Sequence, residues 1–311
     1  FANTLAAMDA GCKIVDSTLT GMGRGAGNLK TELLLTHLAS RGVVEFDFNA
    51  LSALVEEWSD LQNNYRWGTS LPYMVSGANS LPQKDVMEWV TQRWYSFNSI
   101  IRALHNQKAG EEDNIKLPVF KSEKSYKNVI VIGGGPSAVE HAEAVKQFIQ
   151  KLDDVCIVHA SSKNAKSYED VYCKQYYCLV GNEGHRLEQV FNGLNHFHGE
   201  CILPPYPRKM GTYIPNVLKN NSFELEKVDF TDKYQDAHTS LALQTVIDLQ
   251  AESVYLVGYD GYDKSEITSK EQALISENEY LFEKMKKYNF QFNIILKTKY
   301  SLDVDSIYSK V

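Results

Sequence analysis

The sequence predicts an α/β protein in which helices connect the strands of a mostly parallel sheet. Two stretches, residues 1–42 and 126–311, alternate short β-branched runs with amphipathic helical runs, and each has a glycine-rich loop after a β-branched run. This alternation is typical of parallel strands joined by helices. Of the 311 residues, 43% are hydrophobic and 23% are charged, which indicates a folded globular chain.

The first stretch, residues 1–42, predicts a helix, a strand, a loop and a second helix in that order. Helical spacing covers residues 2–11, and residues 13–19 form a short β-branched run. The loop TGMGRGAGN follows, and helical spacing returns until Gly42. Asn28 ends the loop, so its carbonyl either caps the second helix or points into a site.

The middle of the chain, residues 43–107, predicts an all-helical module because no strand-like run interrupts its helical spacing. We expect its large aromatic side chains to pack in a core or at an interface that makes a homo-oligomer. Residues 108–125, rich in lysine and glutamate, predict a linker. The aromatic residues of which we expect this include Trp58, Trp67, Tyr73, Trp89 and Trp94.

The second α/β stretch, residues 126–311, predicts a sheet domain in which strands and helices alternate. The apolar, β-branched runs predict strands at 129–132, 155–160, 177–181, 201–203, 253–258 and 291–296. The amphipathic runs predict helices at 137–151, 183–192, 237–250 and 276–288.

Charge and cysteine content exclude several classes of protein. The net charge of -7 argues against a general binder of nucleic acid or anionic membranes. The sequence has no run of about eighteen apolar residues that could span a bilayer. The cysteine count of five is odd and no pair has CxxC spacing, so we expect reduced thiols in a cytoplasmic protein.

The loop after the strand at 129–132 is the main candidate for a phosphate site. Its glycines and the following helix would offer backbone N–H groups to an anion. The pattern is neither GxGxxG nor a P-loop, and His159 stands where a dinucleotide site has an acidic residue, so NAD and FAD are not expected. The residues of this loop are Gly133, Gly134, Gly135, Pro136 and Ser137.

Further polar residues follow other predicted strands of this domain. Arg208 and Lys209 suit a phosphate or a carboxylate. Asp260, with Asp263, either holds a hydrated magnesium ion or a ribose hydroxyl, or forms a turn. His238 either caps a helix or serves as a general base.

The block GCKIVDSTLTGMGRGAGNLKTE resembles the end of the metal-dependent aldolase and lyase TIM barrels, the hydroxymethylglutaryl-CoA lyase-like superfamily. The resemblance implies a divalent metal, Mg or Mn, that binds a 2-oxo acid such as pyruvate and stabilises its enolate. It places Asn28 at that metal and makes Arg24 either an anion contact for the substrate or a solvated side chain. The residues that stand in the family's order are Asp16, Gly21, Gly23, Gly27, Asn28 and Glu32.

Two family motifs of that superfamily, an Arg-Asp pair and a His-x-His pair, are not found in their places. The sequence has one His-x-His, at 196–198, in a context that predicts a surface loop. The resemblance therefore implies a truncated end of a TIM barrel, a fragment whose missing motifs precede Phe1. We expect such a fragment to be inactive alone as a carbon–carbon lyase.

The motifs GGGPS and VYLVGYDGYD resemble Rossmann-like proteins of two groups, over most of residues 126–311. These are the pterin pyrophosphokinase-like proteins of motility accessory glycosylation factors and the CMP-sialic-acid-dependent sialyltransferases. The resemblance implies a nucleotide or nucleotide sugar at 133–137, with Asn182 and Asp260 nearby. The sequence thus predicts part of a lyase joined to a nucleotide-binding-like domain. Glycosyltransferase or pyrophosphokinase activity in that domain, or a non-catalytic docking module, are the alternatives.

Overall fold

The computed structural model describes residues 1–25, 27–68, 71–91, 97–111, 114–194, 197–208, 210–263 and 267–311. The chain divides into two compact units, Phe1–Gly110 and Glu111–Val311. No helix within the described residues is long and apolar enough to cross a membrane. The predictions that concern Trp94, His196 and Lys209 lie outside the described residues.

The first unit is built from helices in its described part. Its core side chains include Tyr73 and Trp89, each at most 3% exposed, and Trp67 is 8% exposed. The run with helical spacing at 49–63 divides at Trp58 into two helices. A further helix, Leu71–Ala78, lies within 66–82, where the proline-punctuated sequence predicts turns, so that prediction is wrong. The helices are α1 (Ala2–Asp9), α2 (Thr31–Ser40), α3 (Phe48–Glu57), α4 (Ser59–Tyr65), α5 (Leu71–Ala78), α6 (Gln83–Thr91) and α7 (Phe97–Ala109).

The strand predicted at residues 13–19 is not formed, and that prediction is wrong. One isolated bridge joins Thr18 to Lys30, and Leu19–Gly21 is a short 3-10 turn. Ile14 is 84% exposed. A β-branched run becomes a strand where neighbouring strands pair with its backbone groups, and no named strand of the described residues lies in this unit.

The second unit contains one parallel sheet, as the sequence predicts. Within the described residues its order is β5-β4-β3-β2-β1-β6-β7, and β1 pairs with β2 on one side and β6 on the other. The strand order reverses at β1, and ligands of open α/β sheets bind at such points, beyond the carboxyl ends of the strands. The strands are β1 (Asn128–Ile132), β2 (Val155–His159), β3 (Lys174–Cys178), β4 (Glu200–Leu203), β5 (Ser222–Glu224), β6 (Ser253–Val257) and β7 (Gln291–Ile294).

Helices cover both faces of this sheet. Val129 and Val131 of β1 pack in one hydrophobic cluster, and Ile130 and Ile132 pack in another, because successive side chains of a strand point to opposite faces. Both faces are buried from residue 129 to residue 132, and β1 is apolar over these four residues. The helices of the unit are α8 (Ser137–Glu140), α9 (Ala142–Lys151), α10 (Glu183–Val190), α11 (His238–Asp248) and α12 (Ser269–Met285).

The helix predicted at 137–151 is broken at His141. That residue ends α8 and precedes α9, with φ -113° and ψ 19°. The glycine loop therefore leads into only four helical residues. A macrodipole grows with the number of aligned peptide units, so the positive helix end expected at this loop is much weakened.

Candidate functional site

A cavity of about 290 Å³ lies at the carboxyl ends of β1 and β6, where the strand order reverses. The glycine loop forms one wall, and Lys163, His238 and Asp260 are among the other lining residues. A larger depression, of about 480 Å³, follows α12 and shares Tyr300 with the cavity. Its lining carries Glu279, Glu283 and Lys286 and lacks the glycine loop, so the smaller cavity is the candidate site.

The carbonyl groups of the glycine loop are engaged by side chains that follow β2. Asn164 Nδ2 donates to the carbonyl oxygens of Gly133 and Gly135, at 3.0 and 2.8 Å. Lys163 Nζ donates to the carbonyl oxygen of Gly134 at 3.0 Å. The loop's acceptors are thereby satisfied, and an ammonium group is held beside it. Sequence reasoning missed both Lys163 and Asn164, since no local pattern ties them to the loop.

The N–H groups of the loop fall into two pairs. Those of Gly133 and Gly135 donate to Val257 O and Gly258 O, both at 2.8 Å, and so fix the loop against the end of β6. Those of Gly134 and Ser137 have no acceptor within the part of the chain that the structure describes. Such N–H groups, beside an ammonium group, favour an anion.

The glycines of the loop are required for different reasons. A Cβ on Gly135 would lie 1.7 Å from Asp260 Oδ2 and 2.6 Å from Gly258 O, so packing alone excludes a side chain there. A Cβ on Gly134 would meet only Ser161 at 3.8 Å and Lys163 at 4.0 Å, which are ordinary contacts. Protein packing thus leaves room at Gly134, on the wall of the cavity.

Three polar side-chain atoms at the site are buried without a partner among the described residues, Ser137 Oγ, Tyr259 Oη and Asp260 Oδ2. Buried polar atoms are normally hydrogen-bonded, and exceptions mark strain or a site that takes a ligand. Tyr259 and Asp260 follow β6 and line the cavity, and Ser137 begins α8 directly after the glycine loop.

A buried carboxylate, that of Glu183, lies beside the cavity. Its Oε1 accepts hydrogen bonds from Ser161 Oγ at 3.0 Å and Ser162 N at 2.6 Å. Its Oε2 faces Arg186 Nη1 at 2.8 Å and His238 Nε2 at 3.4 Å. Burial alone would raise the pKa of Glu183, but His238, Arg186 and the Ser162 N–H more than reverse this and lower it to about 2.

His238 does not cap α11. The N-cap residue is Ala237, and no side chain caps this helix. The His238 side chain is 45% exposed, lines the cavity and is held against Glu183. The capping interpretation of His238 is therefore wrong. The contact of Glu183 with His238 was missed in the sequence, because it joins two distant helices.

Asn182 and Arg208, which the sequence also singled out, are not among the residues that line the cavity. Asn182 is the N-cap residue of α10. Arg208 is buried, and its guanidinium donates to Ile115 O at 2.9 Å and pairs with Glu224 Oε2 at 3.1 Å. The structure thus places Arg208 in a buried ion pair within the second unit.

In the first unit, the loop at 20–28 closes on Asn28. Asn28 Nδ2 donates to Met22 O at 2.8 Å, and a Cβ on Gly23 would lie 2.6 Å from the same Nδ2 atom. Asn28 and Arg24 are both exposed. The described residues contain no group of three or more His, Cys, Asp or Glu that could hold a metal ion. By themselves these residues therefore do not fit a metal centre.

Comparisons with known proteins find local similarity in the first segment. Residues 1–57 match the HMGL-like family. Oxaloacetate decarboxylase of Mycobacterium tuberculosis (strain ATCC 25618 / H37Rv) is 56% identical over 41 residues, which are 13% of this chain and 12% of that protein. The 4-hydroxy-2-oxovalerate aldolase of Carboxydothermus hydrogenoformans (strain ATCC BAA-161 / DSM 6008 / Z-2901) is 55% identical over 40 residues, with the same shares. The chain spans about an eighth of the length of these relatives. The resemblance of the first segment is confirmed.

Two solved structures are similar to parts of the chain. The N-terminal domain of a candidate aldolase from Bacteroides vulgatus shares 56% identity over 33% of each chain, with a TM-score of 0.27. The MAf glycosyltransferase from Magnetospirillum magneticum AMB-1 shares 11% identity over 84% of this chain and 54% of that chain, with a TM-score of 0.40. Superpositions this loose carry no argument about function.

Proposed function

We propose that the second unit binds a nucleotide sugar and transfers the sugar to an acceptor, with the donor's phosphate on the loop at 133–137. The observation that carries this proposal is the state of the loop. Its glycine carbonyls are engaged by Asn164 and Lys163, while the N–H groups of Gly134 and Ser137 have no acceptor within the described residues. The loop is therefore a set of donors beside a cation, which suits a phosphate.

The position of this loop supports the same ligand. It lies at the carboxyl ends of β1 and β6, where open α/β sheets hold ligands. A Cβ at Gly134 would meet no protein atom closer than 3.8 Å, so a ligand has room to approach the backbone there. A phosphate oxygen could then reach the N–H of Gly134 within hydrogen-bond distance.

Glycosyl transfer is favoured over pyrophosphoryl transfer by the carboxylates of the site. Pyrophosphoryl transfer from ATP relies on magnesium ions held by several oxygen ligands of the protein. Among the described residues, Asp260 is the carboxylate that lines the cavity, and Lys163 supplies positive charge instead. A nucleotide-sugar donor needs its phosphate charge balanced as it leaves, which Lys163 and the N–H groups of the loop can do.

Calorimetry of the full chain tests this proposal. Titrations with CMP, CTP, ATP and nucleotide sugars, each with and without magnesium, should give heat with a nucleotide sugar. We expect Lys163→Ala to weaken that binding about tenfold, because a charge-assisted contact is lost. Lys121→Ala, an exposed lysine of the same unit, is the control and should bind as the wild type does.

The ligand panel separates the alternatives. Binding of ATP alone, with magnesium, would favour a pyrophosphokinase. Binding of a nucleotide sugar without any turnover would favour a non-catalytic docking module. No heat with any of these ligands would contradict the proposal.

A second function, carbon–carbon lyase activity towards a 2-oxo acid, is supported for the first unit by its local sequence identity. HMGL-like proteins of this kind generally depend on a divalent metal, and the segment is 56% identical to one relative over 41 residues. In this proposal Asn28 contacts the metal and Arg24 the substrate. Because the described residues contain no group of three or more His, Cys, Asp or Glu that could hold a metal ion, these two contacts are the whole of the role proposed for this unit.

The protein that carries these residues provides the test of the second function. Pyruvate release from oxaloacetate and from 4-hydroxy-2-oxovalerate is followed by NMR, with Mg or Mn added. Asn28→Ala should abolish the release, whereas Asn79→Ala, directly after α5 in the same unit, should not. Equal rates in both variants would contradict a role of Asn28 at the metal.

A further inference from the structure

We infer that His238 is the general base of the transfer reaction, and that the buried Glu183 is the positioning residue that holds its imidazole. This inference rests on the proposed glycosyl transfer and names the group that takes up the acceptor's proton. The observation behind it is the geometry of the pair: a carboxylate almost excluded from solvent contacts a histidine on the wall of the cavity.

Glu183 is held too firmly to act as a mobile base itself. Its side chain is 3% exposed, and four donors converge on its two oxygens, from Ser161, Ser162, Arg186 and His238. Four donors leave the carboxylate ionised and fixed in one orientation. It can therefore orient a neighbouring imidazole and stabilise its protonated form.

The histidine offers the complementary properties. Its Nε2 atom is the one nearest to Glu183, at 3.4 Å from Oε2, so the neutral ring should carry its proton on Nε2. The Nδ1 atom then keeps its lone pair. With 45% of its side chain exposed, His238 can reach a ligand in the cavity that it shares with Lys163 and the glycine loop.

The hydroxyl oxygen of the acceptor forms a bond to the anomeric carbon of the donor sugar. The bond from that carbon to the phosphate oxygen breaks, and its electron pair leaves with the phosphate, beside Lys163. The hydroxyl proton passes to Nδ1 of His238, and Glu183 stabilises the resulting imidazolium.

Several charged groups face His238. Glu183 and Arg186 lie on α10, Glu277 lies on α12, and Lys163 and Asp260 line the same cavity. Burial raises the pKa of Glu277 to about 7, with His238 acting in the opposite direction. Glu277 therefore titrates in the range where a histidine does, and the experiment has to separate the two.

The test uses the full chain and donor hydrolysis, with water as the acceptor. Release of nucleotide from CMP-N-acetylneuraminic acid, UDP-N-acetylglucosamine and GDP-mannose is measured from pH 5.5 to 9, after calorimetry has identified the bound donor. We expect His238→Gln to slow release by about a hundredfold or more, with the dissociation constant changed less than about threefold. His198→Gln, an exposed histidine outside the cavity, is the control and should leave the rate unchanged.

Two further variants separate the roles. Glu183→Gln should slow release and shift the acid limb of the rate profile to lower pH, because the imidazolium loses its carboxylate. The acid limb of the rate profile should disappear in His238→Gln and remain in Glu277→Gln. A nitrogen-15 NMR spectrum, assigned by comparison with His238→Gln, should show the Nε2–H tautomer for His238, whether or not donor is present.

The outcomes distinguish this inference from the function on which it rests. If no donor binds, the proposed function fails. If a donor binds but is not hydrolysed by the wild type, or if His238→Gln hydrolyses it as fast, the base assignment is overturned while binding stands. An Nδ1–H tautomer for His238 would equally overturn it, since the nitrogen that has to take up the proton would then lack its lone pair.

Discussion

Asp260 fills the space that a side chain at position 135 would need, with its Oδ2 atom 1.7 Å from where the Cβ would stand. The loops that follow β1 and β6 are thus closed on each other, and the N–H of Gly135 donates to Gly258 O at 2.8 Å. This closure sets the shape of the cavity before any ligand arrives. The two loops can stay closed on each other only while position 135 carries no methyl group.

Gly135→Ala should therefore destabilise the second unit, whereas Gly134→Ala should not. The added methyl at 135 overlaps Asp260 and Gly258, and overpacking of this kind costs about 1–3 kcal/mol. At 134 the methyl meets only Ser161 and Lys163 at ordinary distances. Amide hydrogen exchange in β1 and β6 measures the difference, and equal protection in both variants would contradict the geometry.

Gly134→Ala should instead weaken the binding of a ligand. Because the methyl of Gly134→Ala stands on the cavity wall, it should weaken nucleotide-sugar binding about tenfold or more through loss of close backbone approach. Calorimetry on this well-folded variant checks the effect. Wild-type affinity in Gly134→Ala would show that no phosphate approaches this part of the loop.

Arg208 provides a stability prediction that also concerns its expected role in phosphate binding. Arg208→Met should lower the free energy of unfolding of the second unit by about 3–5 kcal/mol, because it leaves the Glu224 carboxylate buried without its cation. The double variant Arg208→Met, Glu224→Gln should recover part of that loss. Unchanged nucleotide-sugar affinity in the double variant is expected, since neither residue lines the cavity.

The unfolding of each unit can be followed by a signal of its own. The tryptophans, four in the whole sequence, all precede residue 111, so their fluorescence reports on the first unit. Hydrogen exchange in β1 reports on the second unit. A fluorescence transition that shifts in Arg208→Met as much as the exchange does would mean that the two units unfold together.

The sheet could be predicted from the sequence where burial on both faces makes a strand apolar throughout. β1 has this pattern, and its position was correct. The third strand was expected at 177–181 but spans Lys174–Cys178, because it begins with two polar residues, the exposed Lys174 and the buried Gln175. β5, with three residues, is too short to give a periodic signal. The backbone pairing of β5 with β4 makes it a strand, and the residues of β5 do not indicate this pairing.

The cavity could be predicted only in part. The glycine loop and Asp260 follow apolar strands, so strand ends gave their location. Glu183 and His238 belong to different helices, and only the folded sheet brings them together. No spacing rule in the sequence links a carboxylate to a histidine across such a distance. The same holds for Asn164, whose amide bridges two carbonyls of the glycine loop.

His159, at the end of β2, predicts a pH dependence of stability. Its ring is fully buried, stacks on Tyr177 at 4.5 Å and contacts Gln175 Oε1 through Nε2 at 2.8 Å. Burial lowers the pKa of His159 from 6.5 to about 4. The unfolded chain therefore binds a proton more readily than the folded one between these values, and stability falls as the pH drops from 6.5 to 4.

The lowered pKa of His159 corresponds to a loss of stability on the order of 3 kcal/mol between pH 6.5 and about pH 4. His159→Gln should remove this part of the pH dependence, while His198→Gln should retain it. Urea denaturation at pH 7, 5.5 and 4.5, followed by exchange in β1 and β2, checks the difference between the two variants. Parallel pH curves for wild type and His159→Gln would contradict a buried neutral ring.

The helix cap at the start of α12 should help to hold one wall of the cavity. The sequence placed this helix at 276–288, whereas it begins at Ser269, because Thr268 and Glu271 form a reciprocal capping box. Asn278 of α12 bonds Thr239 and Tyr300, both of which line the cavity. Thr268→Ala should lower the free energy of unfolding by about 1 kcal/mol and raise exchange in the first turns of α12. Thr268→Ser retains the hydroxyl and should keep wild-type exchange there, so equal exchange in the alanine and serine variants would show that the cap does not hold this wall of the cavity.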